Sequence, residues 1–253
     1  MNRREVEVLV ISDVHLGSYG CHAEELNRYI KSVNPKILIL NGDIFDGYVF
    51  NRKFFPISHV EFIRNVLTLI KKGTDVYYLS GNHDDFMRSF DEISMLNLHK
   101  SDKLVLTIDD KKYWFFHGDV FDISMQGKLG KIISRIGGQA YDILILLNKV
   151  LNKVLKFIGK EPYSLSKKVK DSVKKAIVYI QDFEEMSCTH AIKQNYDYVV
   201  NGHIHQPTIR DFKNDEGSVI YLNSGDWIEN LTALEYNNKE WSIYKYNNSD
   251  FNI

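Results

Sequence analysis

Short apolar runs alternate with segments of helical spacing through the first third of the chain. Val6–Ser12, Ile37–Leu40 and Asp75–Leu79 predict strands, whereas Cys21–Val33 and Val60–Lys72 predict helices. The strand-like runs do not alternate with polar residues, which is typical of strands that are buried on both faces. Strand, helix, strand, helix, strand therefore indicates an α/β fold with parallel strand pairing.

The remainder of the chain follows a different pattern. Leu104–Ile108 and Tyr113–Phe116 predict a hairpin, and a long helical region spans about residues 126–193. Four further strand-like runs follow it: Tyr196–Val200, Val219–Asn223, Thr232–Tyr236 and Trp241–Tyr246. We expect one domain over residues 1–253, with residues 126–193 inserted in it as a helical lid.

The charge of the chain is balanced overall but unevenly distributed. The 253 residues include 32 Lys+Arg and 33 Asp+Glu, so the whole chain lacks the basic character of a general nucleic-acid binder. Lys128–Gln181 alone holds 12 Lys+Arg and 3 Asp+Glu, leaving 20 against 30 elsewhere. The sequence therefore predicts a basic insert on an acidic body.

The cysteines and the apolar runs indicate the cellular compartment in which the protein works. Cys21 and Cys188 form no CxxC pair, which favours a reducing environment. Glu5 and Glu7 interrupt the first apolar run, unlike a signal peptide, and no run approaches the roughly 20 residues of a membrane span. We expect a cytoplasmic protein, with peripheral contact to the inner face of the inner membrane as a further possibility.

Six short polar motifs stand at the ends of apolar runs, where an α/β sheet gathers its ligands. They are Asp13-Val14-His15, Gly42-Asp43-Ile44-Phe45-Asp46, Gly81-Asn82-His83-Asp84, His117-Gly118-Asp119, Gly202-His203-Ile204-His205 and Asn223-Ser224-Gly225-Asp226. Each motif alone is more often explained by structural residues than by a site. Six of them in order favour a shared site.

The residue types of these motifs suit divalent metal ions. His supplies neutral nitrogen, Asp and Asn supply oxygen, and the absence of Cys disfavours a structural zinc site. Asp13 and His15 are two positions apart, as are His203 and His205, so on a strand each pair would point to one side. The set is typical of Mn, Fe, Zn or Mg sites.

In this order the motifs closely resemble those of the calcineurin-like metallophosphoesterase superfamily, from Asp13 to Asp226. The resemblance implies a two-sheet β-sandwich flanked by helices, with two divalent metal ions at the sheet ends, of which Mn is the first expectation. It also implies two ligand sets that share Asp43 as the bridging residue. These are Asp13, His15, Asp43 and His205 for one metal, and Asp43, Asn82, His117 and His203 for the other.

The resemblance assigns the catalytic acid to His83, and Asp84 is expected to orient its ring. The alternative for His83 is an ordinary loop histidine. Asp46 and Asp119 have two open interpretations, as residues that hold the ligand histidines or as residues that cap turns. The implied reaction is attack on phosphorus by metal-activated water, without a covalent enzyme intermediate.

A narrower resemblance links the motifs, and the helical insert between His117-Gly118-Asp119 and Gly202-His203, to bacterial UDP-2,3-diacylglucosamine pyrophosphohydrolases. That family hydrolyses a lipid-linked nucleotide diphosphate in lipid A synthesis. One departure is His83, because those enzymes tend to carry Arg there. A second is Tyr48, where a Trp is expected.

Two other functions stay open at this point. The first is a phosphodiesterase or phosphatase that acts on other nucleotides or on nucleic acid through the lid lysines, although no nucleic-acid partner is expected. The second is a catalytically silent, metal-bound scaffold. The apolar and basic faces of Tyr141–Lys160 fit an anionic membrane surface, an acyl-chain groove or an ordinary lid helix.

Overall fold

A computed structural model describes residues 3–48, 54–121 and 165–251. The chain divides into two compact units. Met1–Asp119 together with Ser187–Ile253 forms the first, and Val120–Met186 forms the second. The sheets, the helices Ala23–Ser32 and Ile57–Lys71, and all six polar motifs belong to the first unit.

The described residues form twelve strands. In chain order they are β1 (Arg4–Ile11), β2 (Val33–Asn41), β3 (Asp75–Leu79), β4 (Ile93–Met95), β5 (Leu98–Ser101), β6 (Lys103–Ile108), β7 (Lys111–Phe116), β8 (Tyr198–Asn201), β9 (Thr208–Asn214), β10 (Gly217–Asn223), β11 (Thr232–Asn237) and β12 (Glu240–Lys245). They build a seven-stranded sheet with the order β12-β11-β1-β2-β3-β5-β4 and a five-stranded sheet with the order β6-β7-β8-β10-β9.

Three α-helices accompany the strands within the described residues: α1 (Ala23–Ser32), α2 (Ile57–Lys71) and α3 (Leu165–Lys193). Shorter 3-10 helices span Asp85–Ser89, Asp119–Phe121 and Asn248–Phe251. None of the helices in the described part is long and apolar enough to cross a membrane.

Successive residues of β1 serve two different packing layers, because side chains alternate across a strand. Leu9 and Ile11 join the core cluster that includes residues of α1 and α2. Val8 and Val10 join the cluster that includes Tyr113 and Phe115 of the second sheet. The two sheets therefore share one core, while helices cover the outer face of the first sheet.

The outer face of the second sheet meets the last turns of α3. Trp114 lies 5.0 Å from His190 between ring centroids, and Ser187 donates a hydrogen bond to Asn201 at 3.0 Å. The fold is therefore α/β with two mixed sheets, as the sequence predicted.

The parallel pairing predicted for the first strands is confirmed. β1, β2 and β3 pair in parallel, whereas β11 pairs antiparallel to β1. The strands β4, β5 and β9 were not predicted, because their short or polar runs carry no clear apolar pattern. α3 covers Leu165–Lys193 of the predicted helical insert. Residues 122–164, with the amphipathic Tyr141–Lys160, lie outside the described residues, so the lid stays a prediction.

Candidate metal centre

The predicted ligands collect where the strands of the two sheets end. Asp13 and His15 follow β1, Asp43 follows β2, and His117 follows β7. Our expectation that Asp13 and His15 share one side of a strand is wrong, because β1 ends at Ile11 and both residues lie in the loop beyond it. The strand order brings these residues to one edge of the sheets, and the conformations of the loops direct their side chains.

Five predicted ligands have left-handed backbone conformations. Their φ angles range from 52° to 68°, at Asp13, His15, Asp43, His203 and His205. Such angles are uncommon outside glycine, cost about 1–3 kcal/mol each in strained cases, and concentrate at functional sites. The fold therefore holds these loops in conformations that point their side chains inward.

Glycines next to the ligands leave no room for a side chain. A Cβ atom at Gly81 would overlap the Asp43 carboxylate, and one at Gly42 would overlap the His117 ring. Gly42 also has a positive φ of 84°. These two positions explain why glycine precedes a polar residue in both motifs.

The histidine rings present Nε2 to two buried carboxylates. His205 Nε2 lies 3.1 Å from Asp13 Oδ1, and His117 Nε2 lies 3.1 Å from Asp43 Oδ2. His15 lies between the carboxylates, with Nε2 4.0 Å from Asp13 Oδ1 and 3.9 Å from Asp43 Oδ2. One donor atom each from Asp13, His15 and His205 falls within 4.8 Å, as does one each from Asp43, His117 and His203.

The opposite nitrogen of each ring faces an acceptor. His117 Nδ1 lies 2.9 Å from the carbonyl oxygen of Asn41. His15 Nδ1 lies 3.6 Å from Asp46 Oδ2, and His205 Nδ1 lies 3.9 Å from Asp226 Oδ2. The acceptor at Nδ1 of His117 fixes the tautomer that leaves Nε2 available, and the carboxylates near the other two rings favour the same tautomer, which is the usual support of a metal-binding histidine.

Buried polar atoms without hydrogen-bond partners mark the same place. Of the ten such side-chain atoms among the described residues, four belong to predicted ligands: Asp13 Oδ1, His15 Nε2, Asn82 Oδ1 and His117 Nε2. Buried polar groups are nearly always satisfied, so four such atoms among the predicted ligands require an explanation. A pair of cations bound at these oxygen and nitrogen atoms would satisfy them, and the donor set therefore fits divalent metals.

Charge is concentrated in the centre. Burial alone would raise the pKa of Asp13, but the nearby rings of His205 and His117 lower it to about 2. Burial would lower the pKa of His205, yet the Asp13 carboxylate raises it to about 9. The Asp13 carboxylate thus stays ionised and favours positive charge beside it, either on a protonated histidine or on a metal ion.

His83 lies beside the carboxylates of Asp43 and Asp46. Its backbone N–H donates to Asp43 Oδ1 at 2.8 Å, and its Nδ1 lies 3.1 Å from Asp46 Oδ1. Burial works to lower the pKa of His83, but the carboxylates of Asp46 and Asp43 raise it above the ordinary value. The ring therefore carries its proton to higher pH than a free histidine, as an acid requires.

Our expectation that Asp84 orients His83 is wrong. The buried Asp84 carboxylate accepts hydrogen bonds from the backbone N–H groups of Ile44 and Gly81 and from the hydroxyl of Tyr78. These contacts hold the loops around Asp43 in place. The carboxylate beside the His83 ring is that of Asp46. Asp46 also accepts a hydrogen bond from the backbone of Tyr48, so it supports histidine rings and caps a turn.

The model of the calcineurin-like phosphoesterase family matches residues 6–207. The chain belongs to this family. It is accordingly a metal-dependent phosphoesterase, and the carboxylate and histidine groups described above are its candidate metal sites.

Curated relatives of the chain share one description. The UDP-2,3-diacylglucosamine hydrolase of Aliivibrio fischeri is 23% identical over 250 residues, which cover 94% of this chain and 98% of that protein. The enzyme of the same name from Aeromonas salmonicida is 24% identical over 238 residues, covering 90% and 89%. Among solved structures, the E. coli phosphoesterase Yfce matches with a TM-score of 0.42 and 13% identity, covering 95% of this chain and 99% of that one.

Asp119 of the fourth motif makes a contact that neither of its two expected roles includes. Its Oδ1 accepts a hydrogen bond from one terminal nitrogen of Arg88 at 2.9 Å, and its Oδ2 forms an ion pair with the other terminal nitrogen at 2.9 Å. Arg88 was not predicted from the sequence, because no motif contains it and 31 positions separate it from its partner.

Proposed function

We propose that the chain hydrolyses the diphosphate of UDP-2,3-diacylglucosamine or of a closely related lipid-linked nucleotide diphosphate. One P–O bond of the diphosphate breaks, the oxygen of water adds to a phosphorus, and UMP and a lipid phosphate leave. The observation that carries the proposal is the paired carboxylate and histidine groups in a chain of which 94% is matched by a hydrolase of that name.

Two divalent metal ions are part of the proposal. One would be held by Asp13, His15, Asp43 and His205, and the other by Asp43, Asn82, His117 and His203. Asp43 supports the bridging role, because one of its oxygens faces His117 and the other accepts the backbone N–H of His83. We propose Mn as the metal, with Fe, Zn and Mg as the alternatives that the same donors allow.

Bound divalent metals supply charge that neutralises phosphoryl oxygens and lowers the pKa of water toward neutrality. The chain itself supplies a proton for the leaving oxygen. His83 holds that proton on the side of the ring away from Asp46, whose carboxylate lies at Nδ1. His83 would therefore donate from Nε2 to the departing phosphate, with Asp46 keeping the ring protonated and oriented.

The lipid part of the substrate is assigned to the predicted lid over residues 126–193. Its 12 Lys+Arg within Lys128–Gln181 would attract the phosphates and an anionic membrane surface. We propose that the protein works in the cytoplasm, at the inner face of the inner membrane, where a substrate with acyl chains resides.

The test is release of UMP from UDP-2,3-diacylglucosamine in mixed detergent micelles by Mn²⁺-loaded protein. UMP and the lipid phosphate should appear in equal amounts, and Asp43→Ala should abolish both. A protein that cleaves bis-p-nitrophenyl phosphate but releases no UMP would refute the lipid substrate and leave the phosphoesterase chemistry intact. Failure on both substrates would favour the silent scaffold.

One residue favours a second candidate substrate. His83 stands where the pyrophosphohydrolases that this chain resembles tend to carry Arg, and Gly-Asn-His-Asp is the more general form in the superfamily. UDP-glucose, ADP-ribose and a dinucleotide should therefore be assayed beside the lipid substrate. A kcat/KM at least tenfold higher for one of these would reassign the chain to a nucleotide phosphoesterase.

A further inference from the structure

Arg88 lies near the end of the 3-10 helix Asp85–Ser89, five residues beyond His83. One terminal nitrogen lies 2.9 Å from Asp119 Oδ2 and donates to Asp85 Oδ1 at 2.9 Å. The other donates to Asp119 Oδ1 at 2.9 Å and to the carbonyl oxygen of Ser80 at 3.2 Å. Arg88 and Asp119 therefore form a two-pronged, charge-assisted pair.

The positions of the bonded groups give the pair its importance. Ser80 directly precedes Gly81-Asn82, and Asp119 follows His117 by two residues. Asn82 and His117 come from different sheets, since one follows β3 and the other follows β7. Arg88 thus ties together two loops that bear proposed ligands of the same metal.

We infer that Arg88 and Asp119 are a positioning pair that sets the spacing of Asn82 and His117. The inference rests on the proposed metal assignment and is independent of the lipid substrate. Arginine suits this task because its planar fork fixes both distance and orientation, whereas a lysine offers a single point of charge.

The guanidinium donors of Arg88 are occupied by protein acceptors, which distinguishes a positioning role from substrate binding. Both terminal nitrogens of Arg88 already donate to protein acceptors, and its Nε lies 3.9 Å from Asp102 Oδ1. The side chains of Arg88 and Asp119 are 26% and 10% exposed, so the pair is better shielded than an ordinary surface ion pair. A guanidinium engaged in this way braces loops more effectively than it binds a phosphate.

The test is a titration of metal-free protein with Mn²⁺ by calorimetry, beside kcat and KM for bis-p-nitrophenyl phosphate. We expect Arg88→Ala to weaken one of two Mn²⁺ equivalents about 10–100-fold and to lower kcat, because supports of metal ligands have effects of that size. Arg88→Lys should recover little of either. Asp119→Asn, which keeps the shape of the side chain, should give the same defect in a folded protein.

Two comparisons make the result specific. Arg64→Ala, at an exposed position of α2, should leave both Mn²⁺ equivalents unchanged. The Arg88→Ala, Asp119→Ala double variant should be no worse than Arg88→Ala, since each change breaks the same link. Unchanged Mn²⁺ affinity in Arg88→Ala, or a raised KM with normal kcat, would overturn the inference.

The lipid proposal fails separately from this one. Absence of UMP release by the unmodified protein refutes only the proposed substrate, because the Mn²⁺ titration and the bis-p-nitrophenyl phosphate assay use no lipid. Conversely, wild-type Mn²⁺ binding in both Arg88 and Asp119 variants refutes only the positioning pair.

Discussion

The Asp46 carboxylate lies 3.1 Å from Nδ1 of His83. Its second oxygen lies 3.6 Å from Nδ1 of His15, so one side chain supports a proposed metal ligand and the proposed acid. This shared support connects the two parts of the reaction, because a change in Asp46 acts on the metal site and on the proton donor together.

Asp46→Asn should shift the alkaline limb of the kcat profile to lower pH. Burial lowers the pKa of His83 and Asp46 raises it, so removal of the negative charge lowers that pKa and His83 loses its proton earlier. The check is kcat against pH for the variant and the unmodified protein. An alkaline limb that moves upward or stays in place would remove His83 from the role of acid.

His83→Ala should keep both metals and lose rate. The ring supplies no atom to the two proposed ligand sets, and general acid catalysis contributes about 10²–10⁴-fold. Metal content by elemental analysis and kcat on bis-p-nitrophenyl phosphate measure the two effects. Full activity in this variant would show that His83 is an ordinary loop histidine and not the catalytic acid.

Asp43→Ala should remove both metals and abolish turnover, because both proposed ligand sets include Asp43. Elemental analysis of the purified variant provides the measurement. Asp91→Ala, at an exposed position, is the matched control and should retain full metal content. Two tightly bound metals in Asp43→Ala would contradict the bridging role.

Gly81→Ala should damage the metal centre more than the fold. The added Cβ would overlap the Asp43 carboxylate, so that side chain or its loop must move. Gly73→Ala is the control, since its φ of 97° makes alanine strained but no atom lies within 4 Å of the new Cβ. We expect Gly73→Ala to lose stability with normal activity, and Gly81→Ala to lose metal affinity.

Chelation of the metals should lower the thermal stability of the protein. At a free metal concentration of about 100 times Kd, binding to the folded state contributes about 2.7 kcal/mol per site. For a chain of this size each kcal/mol changes Tm by about 2–4 °C. Thermal unfolding with EDTA and after Mn²⁺ restoration should therefore differ by at least about 5 °C, and an unchanged Tm would argue against tight binding.

The order of the motifs and the positions of the buried strands were readable from the sequence alone. Apolar runs that end in Asp, His or Asn predicted both the parallel strands and the edge where Asp13, Asp43 and His117 meet. This prediction succeeds because burial on both faces demands continuous apolar residues, and parallel strands bring their carboxyl ends to one edge.

Only the tertiary structure decided which carboxylate contacts which histidine or arginine. Sequence adjacency placed Asp84 beside His83, but three hydrogen-bond donors hold that buried carboxylate away from the ring, and Asp46 contacts the ring instead. The contact between Arg88 and Asp119 was equally hidden, because it joins loops from two different sheets. Such pairings depend on loop conformation and on distances between elements, neither of which local periodicity records.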